Sequence, residues 1–125
     1  MMNGTDPQFV GLLFDTGHFA YCGENPTALI KRYTSRIRHI HLKDIRQDVV
    51  EKVRENRWSF LEGVRQGTFT IPGDGCVEFD PIFRELAESE YRGYMVVETE
   101  QDPAKANPLE YAIRSRKYIR EHTGL

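Results

Sequence analysis

Three segments of this sequence place side chains that bind metal ions or transfer protons at the ends of apolar runs. Asp15 ends the run VGLLFD, His41 lies within RHIHLKD, and Glu98 follows the run YMVV. Carboxylates and an imidazole, with water or substrate oxygens completing the shell, suit Mn²⁺, Mg²⁺, Co²⁺ or Fe²⁺, and also Zn²⁺. Such an ion activates a coordinated hydroxyl group and polarises a neighbouring carbonyl. If these residues converge, the sequence predicts a divalent-metal site.

Each of these residues also has a purely structural interpretation. An aspartate before Thr-Gly is typical of a turn or a helix cap. A His-x-His pair on a strand more often supplies one ligand and one hydrogen-bonded neighbour than two ligands, and a glutamate that ends a strand is often solvated. The metal hypothesis therefore depends on the combination, because burying Asp15, His41 and Glu98 together without a partner would cost the desolvation of each charge.

The elements that must position these residues are short strands separated by helical patterns. FVGLLFD, IRHIHLKD and YMVVETE are typical of short buried strands, and each is followed by a helical pattern. This alternation favours an α/β fold with parallel strands and right-handed crossovers. With FTIPGDG as a very short fourth strand, four parallel βα units would form the C-terminal half of a TIM (β/α)8 barrel. An open doubly wound sheet is the alternative, although no glycine-rich phosphate loop follows any strand.

Helical patterns fill the regions between the predicted strands. Asn25, Asp80 and Asn107 each precede a proline, which predicts an N-cap side chain followed by proline at the first helical position. Between Arg46 and Gly67, apolar residues recur at helical spacing over a longer stretch. These helices must cover one face of the strands.

Side chains on a strand alternate between its two faces, which decides where the polar groups point. Ile40 and Leu42 must pack under the helices, so His39, His41 and Lys43 point to the opposite, inner face. The same alternation points Asp15 of the first segment, and Glu98 and Glu100 of the last segment, to the inner face. In a barrel, catalytic groups come from the carboxyl ends of several strands, and this is where the ionisable residues of all three segments lie.

Composition limits the chain to one modest domain. It has 125 residues, a net charge of −2 and 39% hydrophobic residues, so residues 1–125 are predicted to form one domain with residues 1–8 as a flexible leader. Charges of both signs are interspersed, which argues against a nucleic-acid partner. No apolar run approaches the roughly 20 residues that cross a bilayer. With no secretion signal visible, the protein is predicted to be cytoplasmic, with Cys22 and Cys76 as reduced thiols and a single disulfide as the alternative.

Four segments of the sequence resemble one family. LLFDTGH, RHIHLKD, WSFLEGVRQGTFTIPGDG and VVETEQDPAKANPLEY resemble the myo-inosose-2 dehydratases, which belong to the xylose isomerase-like barrel superfamily with sugar epimerases and hydroxypyruvate isomerases. The resemblance covers Val10 to Glu121 and implies the C-terminal half of that barrel. It also implies a divalent metal, commonly manganese or cobalt, held by Glu, Asp, His and Glu, of which the last three match Asp15, His41 and Glu98. The family carries the first glutamate on an earlier strand, and it has no counterpart here.

The resemblance implies a carbon–oxygen lyase of inositol catabolism that removes water from 2-keto-myo-inositol. Such a reaction needs a base for the proton next to the carbonyl and an acid that helps the β-hydroxyl group to leave. Glu98 is the candidate base as well as a ligand, and His18 the candidate for the second proton transfer or for a substrate hydroxyl. Lys43 is the candidate donor to an oxyanion. Arg46 and Asp74 are candidates for substrate hydroxyl contacts, with loop solvation as the alternative.

The same residues leave other functions and a missing partner open. A sugar isomerase or epimerase would use the same ligands, because it also begins by enolisation, whereas a nuclease of the superfamily would need more histidines and acids and a basic surface. Half a barrel exposes two sheet edges and an inner face, which predicts self-association or a complementary N-terminal half. The alternative is that the chain is an inactive fragment that only associates with itself. From the chain alone we expect incomplete metal binding and little activity. His39 is predicted to pack on the inner face and His122 to have no role.

Overall fold

The fold alternates short strands with helices, as the sequence pattern predicts. The computed structural model describes residues 2–125. In chain order its elements are β1 (Leu12–Asp15), α1 (Thr16–Tyr21), α2 (Pro26–Tyr33), β2 (Ile37–Leu42), β3 (Asp44–Ile45), α3 (Gln47–Glu55), α4 (Phe60–Arg65), β4 (Phe69–Thr70), α5 (Phe79–Glu88), β5 (Met95–Val97) and α6 (Pro108–Thr123). Short 3-10 turns occupy Met2–Gly4 and Thr34–Arg36.

The predicted strand segments form a parallel sheet in the order β1-β2-β5. Asp15 at the end of β1 pairs in register with His41 of β2, and Leu42 pairs with Val97 at the end of β5. Because β2 lies between β1 and β5 and is parallel to both, the carboxyl ends of all three strands meet at one edge of the sheet. The parallel α/β arrangement expected from the sequence is confirmed.

The segment FTIPGDG is not a fourth parallel strand, so the prediction of four βα units is wrong. Its residues Phe69 and Thr70 form β4, which pairs antiparallel with β3 in a separate two-stranded ladder. A proline at position 72 has no N–H group with which to extend a ladder. The loop that follows folds back on Asp44, whose carboxylate accepts hydrogen bonds from its N–H groups. The partial barrel therefore has three parallel strands in the part of the chain that the structure describes.

Two of the three predicted helix starts are confirmed. Asn25 accepts a hydrogen bond from the N–H of Ala28 and caps α2, and Asn107 caps α6 in the same way. The prediction for Asp80 is wrong, because α5 already begins at Phe79, whose side chain is fully buried. Asp80 therefore lies in the first turn, and its carboxylate contacts the ring of His122, which gives that histidine a structural contact.

The long helix expected between positions 46 and 67 is divided into α3 and α4. Arg57 adopts a left-handed backbone conformation with φ of 53°, which is incompatible with a continuous helix. Ser59 then caps α4 by accepting a hydrogen bond from the N–H of Glu62. Since capping residues inside a helical pattern compete with helix continuation, the single-helix prediction is wrong at this point.

The two faces of the parallel sheet differ in burial. Phe14, Ile40 and Leu42 are fully buried in the main hydrophobic cluster with side chains of α2 and α5, as the alternation predicts. On the opposite face, Leu13 is 49% exposed and Val96 is 39% exposed. The face that would line the interior of a closed barrel is thus open to solvent.

Arg36, in the 3-10 turn before β2, contacts the segment before β1. Arg36 donates hydrogen bonds to the carbonyl oxygens of Met2 and Val10 and to the hydroxyl group of Thr5. Met1, where the predicted leader begins, lies outside the described residues, and the flexibility of the leader stays a prediction. Among residues 2–125, no helix combines the length and apolar character needed to span a membrane. Cysteines 22 and 76 are both exposed free thiols.

Candidate metal centre

The carboxyl ends of the three parallel strands bring the predicted ligands together. Asp15, His41 and Glu98 each offer a ligand atom, and these atoms all lie within 4.8 Å of one another. His41 Nδ1 is 3.5 Å from Asp15 Oδ2 and 3.1 Å from Glu98 Oε2. Two bonds of about 2.1 Å at right angles around one ion would place their ligand atoms about 3 Å apart. The three side chains are therefore arranged so that they could bind one small divalent ion together.

Asp15 performs the structural role and faces the site at the same time. One carboxylate oxygen accepts a 2.8 Å hydrogen bond from the N–H of His18 and caps α1, so the turn interpretation of Asp15 is correct. The other oxygen faces the imidazoles of His18 and His41 and the ammonium group of Lys43. Burial raises the pKa of Asp15, but the hydrogen bond from His18 and the charge of Lys43 outweigh it and lower the pKa overall.

Lys43 occupies the centre of the acidic cluster rather than its entrance. Its side chain is 0% exposed, and Nζ lies 2.7 Å from Glu98, 2.9 Å from Glu100 and 3.3 Å from Asp15. Burial lowers the pKa of Lys43, but the hydrogen bonds to Glu98 and Glu100 outweigh this effect and raise it. The ammonium group is therefore held charged among three carboxylates.

The start of α1 holds the backbone of Lys43 and lies against its side chain. The hydroxyl group of Thr16 donates to the carbonyl oxygen of Lys43 at 2.6 Å and accepts from its N–H at 2.9 Å. Gly17 lies against the same side chain so closely that a Cβ atom at position 17 would be 2.6 Å from Lys43 Cγ. The tripeptide Asp-Thr-Gly thus supplies a carboxylate, an anchor and the space for the lysine.

Glu100 is a site residue that the sequence assigned to the inner face without giving it a role. It follows the end of β5 by three residues and has a left-handed backbone with φ of 45°. This turn returns its carboxylate to Lys43 Nζ and places it 3.7 Å from His18 Nε2. The available signal was its spacing of two from Glu98, which keeps both acids on one face.

The charges of the cluster are those that a divalent ion would balance. Three carboxylates and one ammonium group leave two negative charges when both imidazoles are neutral, and the contributing residues are Asp15, Glu98, Glu100 and Lys43. Buried or half-buried charge of one sign is costly without a partner. Donor types, spacing and charge therefore all fit a metal ion with oxygen and nitrogen ligands.

The remaining histidines of the site differ in position. His18 lies in the first turn of α1, next to the triad, with its side chain 41% exposed and Nδ1 3.1 Å from Asp15. His39 is half-buried, and its ring centroid is 5.3 Å from that of His41. His39 lies on the inner face beside the candidate ligand His41, as predicted.

Arg46 and Asp74, the predicted substrate contacts, bond to each other outside the triad. Arg46 Nη2 donates to Asp74 at 2.7 Å and to the hydroxyl group of Thr70 at 3.0 Å. Arg114 contacts the second oxygen of Asp74. Burial raises the pKa of Asp74, but the hydrogen bonds from Thr70, Arg114 and Arg46 lower it overall. Their contact with a substrate stays a prediction.

Asp44 shapes the loop that carries Asp74 and was missed by the sequence analysis. It is fully buried, and its carboxylate accepts the N–H groups of Ile45, Gly73, Gly75 and Val77 at 2.8 to 3.1 Å. Burial raises the pKa of this carboxyl above its usual value, despite the four donors. The polar loop thus folds around Asp44, which the strand pattern alone had placed at the end of a predicted strand.

In TIM barrels the active site lies at the carboxyl ends of the parallel strands, which is where the carboxylates and imidazoles of this sheet gather. The family model described as xylose isomerase-like TIM barrel matches residues 1–122. The chain belongs to this family.

Solved structures have the same fold. A xylose isomerase domain protein from Alicyclobacillus acidocaldarius covers 92% of this chain with a TM-score of 0.63 and 22% sequence identity, and the match spans 37% of that protein. A xylose isomerase domain protein from Planctomyces limnophilus covers 98% of the chain and 42% of its own length, with a TM-score of 0.61 and 21% identity.

Two curated relatives are much more similar in sequence to this chain than the solved structures are, and both are named inosose dehydratase. The chain is 60% identical over 124 residues to the inosose dehydratase of Clostridium beijerinckii and 58% identical over 125 residues to that of Bacillus cereus strain AH820. It spans 42% of the length of each of these relatives, while 99% and 100% of the chain are matched.

Proposed function

We propose that this chain carries the carboxyl-terminal part of an inosose dehydratase, in which Asp15, His41 and Glu98 hold a divalent metal ion. The observation that supports the proposal most is the convergence of these three ligand atoms within 4.8 Å. The identity of 60% to an inosose dehydratase supports the reaction. Mn²⁺ or Co²⁺ is the proposed ion, with Mg²⁺, Fe²⁺ or Zn²⁺ as alternatives for the same donors.

The proposed reaction removes water from a small cyclic polyol ketone such as 2-keto-myo-inositol. A metal ion bound by the triad would supply positive charge for the oxygen of the substrate carbonyl. Glu98 takes the proton from the carbon next to the carbonyl, and the electron pair of that bond forms the new C=C bond as the β-hydroxyl group leaves. His18 gives a proton to this hydroxyl group, so that water departs. Glu100, 3.7 Å from His18 Nε2, orients the ring.

The three proposed substrate contacts have unequal support. The side chains of Arg46 and Asp74 are 28% and 22% exposed, so part of this pair is accessible to substrate hydroxyl groups beside the site. Lys43 is 0% exposed and surrounded by carboxylates. A role for Lys43 as a direct donor to an oxyanion therefore has less support than a role in the charge balance of the site.

We propose that a complementary N-terminal segment completes the barrel. Leu13 and Val96 leave apolar surface exposed on the face that lines a barrel, and the curated relatives are more than twice as long as this chain. Such a segment would cover this face, pair with the free edges of β1 and β5, and bring further ligand atoms to the site. Association of the chain with itself is the alternative occupant of the same surface.

The test combines the chain with the amino-terminal portion of the Clostridium beijerinckii relative and measures loss of water from 2-keto-myo-inositol. We expect activity with Mn²⁺ that chelation by EDTA abolishes and that His41→Asn lowers by at least about a hundredfold. The control His122→Asn changes a ring bonded to Asp80, so activity should persist. Epimerisation of a ketose without water loss would instead identify an isomerase. A folded, complete complex without either activity would refute the proposal.

Light scattering on the chain without its complement tests the partner proposal separately. A self-associated species that dissociates when the amino-terminal portion is added supports a shared surface. A monomer whose size is unchanged by addition of that portion contradicts it.

A further inference from the structure

The most unusual group in the site is the ammonium of Lys43, because a fully buried lysine normally requires strong compensation. Its Nζ contacts oxygens of Glu98, Glu100 and Asp15 at 2.7, 2.9 and 3.3 Å. The ring of Phe69 lies on another side, with its centroid 4.9 Å away. Lys43 therefore supplies positive charge to the same carboxylates that a divalent ion would use.

Two carboxylate oxygens are shared between the lysine and the proposed metal triad. Asp15 Oδ2 and Glu98 Oε2 contact Lys43 Nζ, and the same two atoms face His41 Nδ1 at 3.5 and 3.1 Å. An ion held by the triad would draw on the same acids. Since two cations cannot use the same lone pairs fully, binding of an ion must weaken the contacts of Lys43 with Asp15 and Glu98.

Glu100 differs from the other two acids because it contacts the lysine from outside the triad. Its Oε2 accepts a 2.9 Å hydrogen bond from Lys43 Nζ and lies near His18 Nε2. Glu100 has a left-handed backbone with φ of 45°, which is uncommon for a residue with a side chain. The hydrogen bond to the buried ammonium group is a favourable contact that accompanies this conformation.

We propose that Lys43 is an internal counter-cation that competes with the divalent ion for Asp15 and Glu98, and that Glu100 retains the ammonium group when the ion binds. The inference rests on the proposed metal site and deepens it. Lys43 holds the acids in place before the ion arrives, and Glu100 sets how readily the lysine releases them. Removing Lys43 should raise the affinity of the site for metal, and removing Glu100 should lower it.

Isothermal titration with Mn²⁺ at neutral pH measures these effects without any substrate, on the chain combined with the amino-terminal portion of the Clostridium beijerinckii relative. Lys43→Met removes the competitor, so we expect tighter binding by about tenfold or more, and Glu100→Gln leaves the lysine dependent on Asp15 and Glu98, so we expect binding about tenfold weaker. The matched controls Lys52→Met and Glu88→Gln change exposed residues of α3 and α5 and should leave the affinity within about twofold.

A double-mutant cycle separates a role through the lysine from a simple effect of charge. If Glu100 acts by holding Lys43, adding Glu100→Gln to Lys43→Met changes the metal affinity little. Lys43→Gln replaces Lys43→Met if the methionine variant does not fold. If Glu100 acts on the ion by its charge alone, the two effects multiply, and the proposed role of Glu100 is refuted.

Thermal unfolding gives an independent readout of the same competition. Without metal, Lys43→Met should unfold at a lower temperature than the unsubstituted chain, because three acids lose their counter-charge, and Mn²⁺ should restore more stability to this variant than to the parent. Equal Mn²⁺ affinity of the parent and Lys43→Met would refute the inference while the metal site stands. Absence of Mn²⁺ binding in the parent and in every variant, each combined with the amino-terminal portion of the Clostridium beijerinckii relative, would refute the metal site and the inference together.

Discussion

Replacing Asp44 with asparagine tests how the loop beside the site is held. Both carboxylate oxygens are in use: one accepts the N–H groups of Ile45 and Val77, and the other those of Gly73 and Gly75. Asparagine has nearly the same shape, but one of its two terminal groups is a donor. Whichever way the amide turns, two backbone N–H groups face another donor instead of an acceptor.

The expected loss can be worked out from these contacts. Each buried donor left without an acceptor costs about 1–3 kcal/mol, so two of them cost about 2–6 kcal/mol. Asparagine carries no charge, which offsets part of this loss, because burial raises the pKa of Asp44 and its ionised form is costly in the folded protein. We therefore expect Asp44→Asn to lower the free energy of unfolding by about 2–4 kcal/mol.

Urea unfolding followed by circular dichroism measures this change, with Asp48→Asn as the control. Asp48 lies in the first turn of α3 and is exposed, so its substitution should change the free energy of unfolding by less than about 0.5 kcal/mol. A value for Asp44→Asn that equals the control would show that the loop does not depend on these four hydrogen bonds, and the account of the loop would be wrong.

Three further substitutions have expected outcomes. Ile40→Ala empties a fully buried position and should cost about 2–5 kcal/mol in urea unfolding, whereas Leu109→Ala, 70% exposed, should cost little. Gly75→Ala would place a Cβ directly against the carbonyl oxygen of Ile45, and its melting temperature should fall well below that of Gly4→Ala, where nothing lies within 4 Å. The pKa of Asp15 is lowered from 3.8 in the folded protein, so the ionised carboxylate contributes fully to stability above pH 3.8 and loses this contribution as the pH falls through the lowered pKa. Asp15→Asn should therefore reduce the loss of stability at acid pH in unfolding titrations.

The sequence was sufficient to predict the parts of the site that depend on local periodicity. Alternation along β2 places Ile40 in the core and His41 on the inner face, because neighbouring side chains of a strand must point to opposite faces. Apolar runs that end in acids predicted where Asp15 and Glu98 would lie. The resemblance extended these positions to a ligand set, and the structure brings the three ligand atoms within 4.8 Å of one another.

Features that depend on contacts distant in sequence could not be predicted in this way. Asp44 accepts hydrogen bonds from residues about thirty positions later, and these bonds hold the part of FTIPGDG that follows β4 in a loop. Glu100 reaches the site through a backbone conformation that its residue type disfavours. The break at Arg57 likewise follows from a left-handed residue inside a pattern that remains apolar at helical spacing.

The close approach of Gly17 to Lys43 has a consequence for how this segment can vary. Glycine 17 has no functional group, yet any side chain there would collide with the aliphatic part of the lysine and force the charged end of Lys43 to a new place among its three acidic neighbours. A mutational scan should therefore find position 17 as intolerant as the acid and the histidine on either side of it. A shorter residue at position 43 would remove the contacts with Cγ and Cδ but would keep a Cβ atom 2.9 Å away, so it would relieve only part of the collision and the two positions form a coupled pair for protein engineering.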